Sequence, residues 1–132
     1  MRSRQRLYQR PKHFGRELRV ADFIQKELAD LLRNKVRDPR INASELSVPE
    51  VKVSRDLAYA DVYVARFLEH PTPTDPTDET VLDVLQRAAG FFRSELAARH
   101  SMRTTPELRF HLDRTEAEAR RIEELLAQVR RA

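Results

Sequence analysis

The chain has 132 residues, 40% of them apolar, which suits one domain with its own core and is too short for two. It contains no cysteine, so disulfides, thiolate metal sites and a cysteine nucleophile are excluded and a reducing compartment fits. The net charge of +4 conceals a segregation: residues 1–16 carry Arg2, Arg4, Arg6, Arg10, Lys12 and Arg16 with no acid, so the rest of the chain sums to −2.

In chain order, residues 1–16 read as a basic, flexible arm, because so few apolar groups cannot order it. Its composition is shared with organelle transit peptides, but a plain arm is the simpler reading. No apolar run approaches the ~18 residues of a membrane span, so a cytoplasmic chain without a membrane segment is expected. Leu18, Ala21, Ile24, Leu28, Leu31, Leu32 and Val36 recur at three and four, which predicts an amphipathic helix over 17–36. Asp38-Pro39 ends it, since a residue before proline is pushed out of the helical region. In SELSVPEVKVS the apolar alternation changes phase at Pro49, the mark of an edge strand with a bulge. After the short turn RDLA, residues 59–67 carry apolar groups in both phases, which predicts a strand covered on both faces and hairpinned to the first.

LEHPTPTDPTDET holds three prolines and no periodicity, so it reads as a surface loop whose Thr77 or Asp78 caps the next helix. Val81, Leu85, Ala88, Phe92, Leu96 and Ala97 line one apolar stripe that continues across Gly90. TTPELRFHLD gives a third strand. Asp113 to Glu116 resembles a capping box, and Ile122, Leu125, Leu126 and Val129 of the helix it opens are assigned to the domain's own core. A helical pair joining strands 59–67 and 106–113 makes those strands parallel.

Local charge clusters suit a polyanion, because each neutralised phosphate releases counterions. One is RNKVRDPR, where Arg33, Lys35, Arg37 and Arg40 face only Asp38. The other follows a base-free stretch over 68–86 and holds Arg87, Arg93, Arg99, Arg103 and Arg109 against Glu95 and Glu107. Within this second cluster, between Arg87 and Arg93, stands Gly90, one of two glycines in the chain, inside a helical pattern where it costs about 1 kcal/mol relative to alanine. It is read as the corner between paired helices, leaving the backbone bare beside a helix N-terminus that attracts phosphate. Tight helix packing is the competing account of the glycine. For each arginine the competing account is a surface salt bridge with Asp56, Glu95 or Glu107.

The element order resembles a type II KH domain. RVADFIQKELADLL, RDPRI, VKVSRDLAYADVYV, RAAGFFRSEL and RTTPELRFHLD together resemble the ribosome-binding factor A family, over about Arg19 to Leu126. The resemblance implies an α+β fold: one KH type II-like domain (helix–strand–strand–helix–kink–helix–strand) over 17–113, with a C-terminal helix over 114–132 packed on it or extending it. KH domains clamp nucleotides with a GxxG loop; here Ala88, Ala89 and Gly90 match the family's shorter kink. It further implies a monomeric, non-catalytic factor without cofactor or metal. Such a factor docks on 16S ribosomal RNA of immature 30S subunits and aids late processing, particularly in the cold, alongside other assembly factors such as ribosome-associated GTPases. Arg87, Arg93, Arg99 and Arg103 around the kink, Arg55 at the hairpin turn and Arg37 and Arg40 in the first cluster are then the expected RNA contacts.

Three other functions compete. A generic KH-type RNA binder needs the same residues. A metal-dependent nuclease would draw on Asp56, Asp61 and Asp113, although the four histidines show no paired metal spacing and no phosphate-loop motif exists. An interaction adaptor would present the apolar stripe of the last helix to a partner.

Overall fold

The computed structural model describes residues 12–36, 38–99 and 104–131. Helix α1 (Lys12–Asn34) starts five residues earlier than its periodicity predicts, so Lys12 and Arg16 belong to a helix and not to an arm. Residues 1–11, the remainder of the expected arm, lie outside the described residues. Ala21, Ile24, Leu28, Leu31 and Leu32 are buried, at the three- and four-residue spacing that puts side chains on one helical face.

A short 3-10 turn (Ala43–Glu45) leads into β1 (Leu46–Val53), which pairs antiparallel with β2 (Tyr59–Arg66) through Val51 opposite Val62 and Lys52 opposite Asp61. The register shifts between Ser47 and Glu50, around Pro49 as expected. There the Gln25 side-chain amide donates to the carbonyls of Val48 (2.9 Å) and Pro49 (3.1 Å). β2 is the central strand and pairs parallel with β3 (Glu107–Leu112), Val62 opposite Phe110.

The expectation that β2 is covered on both faces is wrong. Ala60, Val62 and Val64 are fully buried, whereas Tyr59 is exposed and Asp61 and Tyr63 are half-buried on the opposite face. Tyrosine supplies the apolar signal in that second phase, yet its amphipathic ring is content beside water. On this open face Tyr63 stacks on His111 at 5.2 Å and the Arg109 guanidinium lies 4.2 Å from the Tyr59 ring centroid.

Helices α2 (Asp78–Arg87) and α3 (Ala89–Arg99) cross from β2 to β3 and, with α1, cover the other face. Val81, Leu85, Phe92 and Leu96 bury against Leu108 and Phe110, so the core lies between one sheet face and three helices. Thr77 caps α2 by accepting from the Thr80 amide at 3.1 Å. The Gln86 side chain meets the outer edge of β3, donating to the Leu108 carbonyl at 3.2 Å and accepting from the Phe110 amide at 2.9 Å. That occupies polar groups an edge strand would otherwise offer to another chain. Arg66, its side chain only 6% exposed, donates to the Pro76 carbonyl (2.7 Å) and to Asp78 (3.2 Å), fixing the start of α2 to the end of β2.

The last helix, α4 (Thr115–Arg131), begins where the Asp113 carboxylate accepts from the Thr115 amide at 2.9 Å. Hydrogen bonding at Thr115 holds the Asp113 carboxyl below its ordinary pKa. Cationic side chains tie α4 and its entry to the domain: Arg114, just before the helix, lies 3.8 Å from Glu79, and the Arg120 guanidinium lies 4.2 Å from the Phe67 ring centroid. The assignment of Ile122, Leu125, Leu126 and Val129 to the core is overturned, since all four are exposed, Val129 by 72%. The helical face of the sheet is already filled by α1, α2 and α3, so the apolar stripe of α4 stays outside that core. Element order and strand pairing are those that the KH resemblance implies. Among the described residues no helix is long and apolar enough to cross a membrane.

Candidate nucleic-acid interface

The chain turns between α2 and α3 at Ala88 (φ −86, ψ 2), not at Gly90. The Ala88 amide closes α2 on the carbonyls of Val84 and Leu85, both at 3.1 Å, while its carbonyl accepts from the Phe92 amide at 3.0 Å and opens α3. An alanine reaches this conformation without strain, so the corner does not need glycine. Gly90 is the second residue of α3, and no described glycine has a positive φ. A Cβ built on Gly90 would meet nothing within 4 Å, which also removes tight helix packing as its reason. What the glycine leaves is bare, exposed backbone on the first turn of a helix.

That turn is electrostatically unlike its neighbour. Asp78 and Glu79 occupy the first turn of α2, which balances its positive dipole end, whereas α3 begins with Ala89, Gly90 and Phe91 and no acid. The first amides of a helix have no intrahelical acceptor. An anion near Gly90 therefore finds a favourable field and no side chain in its way.

Against this corner lies the loop after α1, and between them is an open cleft of about 390 Å³. Val36 and Ile41 from the loop, with Val84 and Ala88 from the corner, form its apolar floor. Lys35 and Arg40 on one wall and Arg87 on the other give a cationic rim, and the exposed ring of Phe91 lines the same space. The two basic clusters, far apart in sequence, thus meet in space. Arg40 is held in place by Asp38, at 3.1 Å from Nε and 2.9 Å from the terminal nitrogen, and that guanidinium holds the Asp38 carboxyl below its usual range. Arg87 lies 3.0 Å from Asp83, an exposed pair of the kind worth about 0–1 kcal/mol and easily exchanged for another anion. Lys35 forms no ion pair among the described residues.

The other expected contacts do not gather here. The Arg93 Nε donates to the Thr105 carbonyl at 3.0 Å, tying α3 to the segment before β3. Arg99, at the far end of α3, lies 2.7 Å from Asp30 and 3.5 Å from Glu27 on α1. Hydrogen bonding to Asp30 raises the Arg99 pKa, and the same bond lowers that of Asp30. Arg55 sits in the β1–β2 turn, at the opposite end of β1 from the loop that carries Arg40. In that turn Leu57 takes φ 61, and Asp56 accepts from the Ser54 hydroxyl (2.7 Å) and the Ala58 amide (3.1 Å). Arg37 and Arg103 lie outside the described residues.

The three aspartates of the nuclease alternative are placed apart. Asp56 serves the hairpin turn, Asp61 meets His111 at 2.8 Å and Arg109 at 3.4 Å on the open sheet face, and Asp113 caps α4. Among the described residues no three His, Asp or Glu side chains converge as metal ligands would. Sequence reasoning placed Ala88 at the site but passed over Phe91 and the rest of the apolar floor, Val36, Ile41 and Val84. The signal for Phe91 was present in GFFR, since adjacent helical residues point about 100° apart and cannot both face one core.

The model for the family described as ribosome-binding factor A matches residues 16–126. The ribosome-binding factor A of Alcanivorax borkumensis is 42% identical over 123 residues, covering 93% of this chain and 85% of that one. The crystal structure of ribosome-binding factor A from Thermus thermophilus superposes with a TM-score of 0.60 at 29% identity, covering 73% of this chain and 93% of the other. A homology model of the Thermus thermophilus factor, fitted into the cryo-EM map of its complex with the 30S subunit, superposes with a TM-score of 0.50 at 29% identity, covering 70% and 93%.

Proposed function

Because the chain belongs to the ribosome-binding factor A family, we propose that it docks on the immature 30S subunit and contacts 16S ribosomal RNA through the corner between α2 and α3. The observation that carries this reading is the convergence of Lys35, Arg40 and Arg87 beside the bare Gly90 backbone and the acid-free start of α3. Rim cations and helix amides hold phosphates in position and carry little sequence information, so structured RNA is read by its shape and backbone. Arg93 holds Thr105 through its Nε and forms no ion pair among the described residues, so its exposed guanidinium adds to the positive charge available to a phosphate. The factor acts without catalysis, as a monomer in the cytoplasm, and assists late maturation of the subunit.

Pelleting the full chain with small ribosomal subunits over a salt series tests this. Binding falls steeply as salt rises, because neutralised phosphates release counterions, and reversing Lys35 and Arg87 together to Glu reduces pelleting at every salt concentration. Salt-independent pelleting, or equal pelleting by the reversed variant, removes the reading.

The exposed stripe of α4 favours a second, compatible reading, the adaptor one. Ile122, Leu125, Leu126 and Val129 offer a protein partner, such as another assembly factor, an apolar helix face. Replacing Leu125 and Val129 with Ser then lowers capture of that partner without unfolding the domain.

A further inference from the structure

The cleft is built for more than phosphate. A site that only neutralised charge would have no use for an apolar floor of Val36, Ile41, Val84 and Ala88, nor for a half-exposed phenylalanine at its edge. Large aromatic rings left in water beside cations mark a surface that stacks planar groups. Phe91 is 44% exposed and meets its neighbour Phe92 edge-on, with ring centroids 5.6 Å apart. Its partner is fully buried, so one ring anchors the helix and the adjacent ring faces the cleft. The cavity of about 390 Å³ falls within the roughly 300–1,000 Å³ range of small-ligand sites. Cations stand on both walls, and the two acids beside them are already engaged, Asp38 by Arg40 and Asp83 by Arg87, while Lys35 forms no ion pair among the described residues.

From this geometry we infer that the cleft between the 35–41 loop and the α2–α3 corner takes one unpaired nucleobase of an RNA strand. The base lies on the apolar floor against Phe91, and its flanking phosphates reach Lys35 and Arg40 on one side and Arg87 on the other. A base within a duplex has its faces covered by stacking, so only an unstacked nucleotide can enter. The inference rests on the RNA-docking reading and deepens it: the ligand at this corner is single-stranded RNA with an accessible base, whereas backbone docking alone needs no base.

The test uses the full chain and fluorescence anisotropy with three probes: a short single-stranded RNA, the same strand with abasic nucleotides at its centre, and a blunt RNA duplex of equal length. The intact protein binds the base-bearing strand about tenfold more tightly than the abasic strand or the duplex, the scale of one base–aromatic stack. Phe91→Ala brings the ratio between base-bearing and abasic strands to about one, and Phe91→Trp restores it. Arg87→Gln weakens both strands equally and leaves the ratio unchanged. A thermal melt of each variant verifies that the ratio is measured on folded protein. Equal binding of the base-bearing and abasic strands by the intact protein overturns the inference, as does a Phe91→Ala loss that falls equally on both. Binding of neither strand overturns it too. Pelleting with small subunits responds only to the docking reading, so failure of the nucleobase site and failure of that reading are told apart.

Discussion

Arg99 closes α3 and Arg87, the last residue of α2, stands just before it; the two arginines belong to one cluster and are used in opposite ways. At the C-terminal end Arg99 is turned inward to Asp30 and Glu27, and its charge fastens α3 to α1. Around its N-terminal end Arg87 of α2 is exposed and, among the described residues, pairs only with Asp83, Gly90 offers bare backbone, Phe91 faces the cleft, and no acid in the first turn balances the helix dipole. One end is complete within the domain and the other is left for something outside it. A run of basic residues therefore measures charge present, while the charge available to a ligand depends on which acids the fold brings alongside.

The largest effect expected is at the boundary between these ends, where Phe92 is fully buried beside Phe110. Phe92→Ala removes about 3–5 kcal/mol of stability by transfer and cavity terms. Denaturant unfolding measures the loss, and the protein that remains folded still binds small subunits. If the folded fraction no longer binds, the core side of α3 is not separable from its outer side.

Next in size, Arg87→Glu lowers affinity for small subunits by about tenfold or more, with a stability change within about 0.5 kcal/mol, as for most surface substitutions. Pelleting and a melt read the two quantities. Equal affinity would show that the outer end is as self-contained as the inner one.

The inner end is tested by Arg99→Gln, which lowers the melting temperature by a few degrees while binding by the folded protein is unchanged. Its pH dependence is fixed in sign. Arg99 lowers the Asp30 pKa in the folded state from its ordinary value of 3.8, so the contribution is complete above that pH and disappears as pH falls through the depressed value. The gap in melting temperature between wild type and variant thus closes on acidification below about 3.8. A gap that stays constant down to strong acid would detach Arg99 from Asp30.

The smallest effect has opposite signs in its two readouts. Gly90→Ala adds about 0.5–1 kcal/mol of stability, because alanine is the better helix former and its Cβ meets no neighbour. The same methyl group crowds the RNA backbone and lowers subunit binding. Higher stability with unaltered binding would mean that nothing approaches the first turn of α3.

Much of this molecule was legible before folding. The three- and four-residue recurrence from Leu18 onward, the phase change at Pro49 and the loop of three prolines set element types and order, because each reflects preferences acting within a few residues. The misses share a cause as well. Periodicity shows which residues share a face, and is silent on whether another element arrives to cover it. Tyr59 and Tyr63 looked like a second buried phase of β2, and Ile122, Leu125, Leu126 and Val129 looked like core, yet both faces are left open. Gly90 was read as the corner, but the chain turns at Ala88 and the glycine is notable for the empty space around it.

By itself, then, the sequence determined an α+β chain with a bulged edge strand, a corner of small residues between two helices, and two basic clusters. Tertiary structure decided that the cluster after α1 meets the one at the α2–α3 corner, that Val36, Ile41 and Val84 lie as a floor between them, and that Arg99 is taken by Asp30. Helical and strand periods are set by backbone geometry that each segment carries within it. A cleft or an ion pair between segments is set by distances across the fold, and these exist only once α1, α2 and α3 have packed on the same face of the sheet.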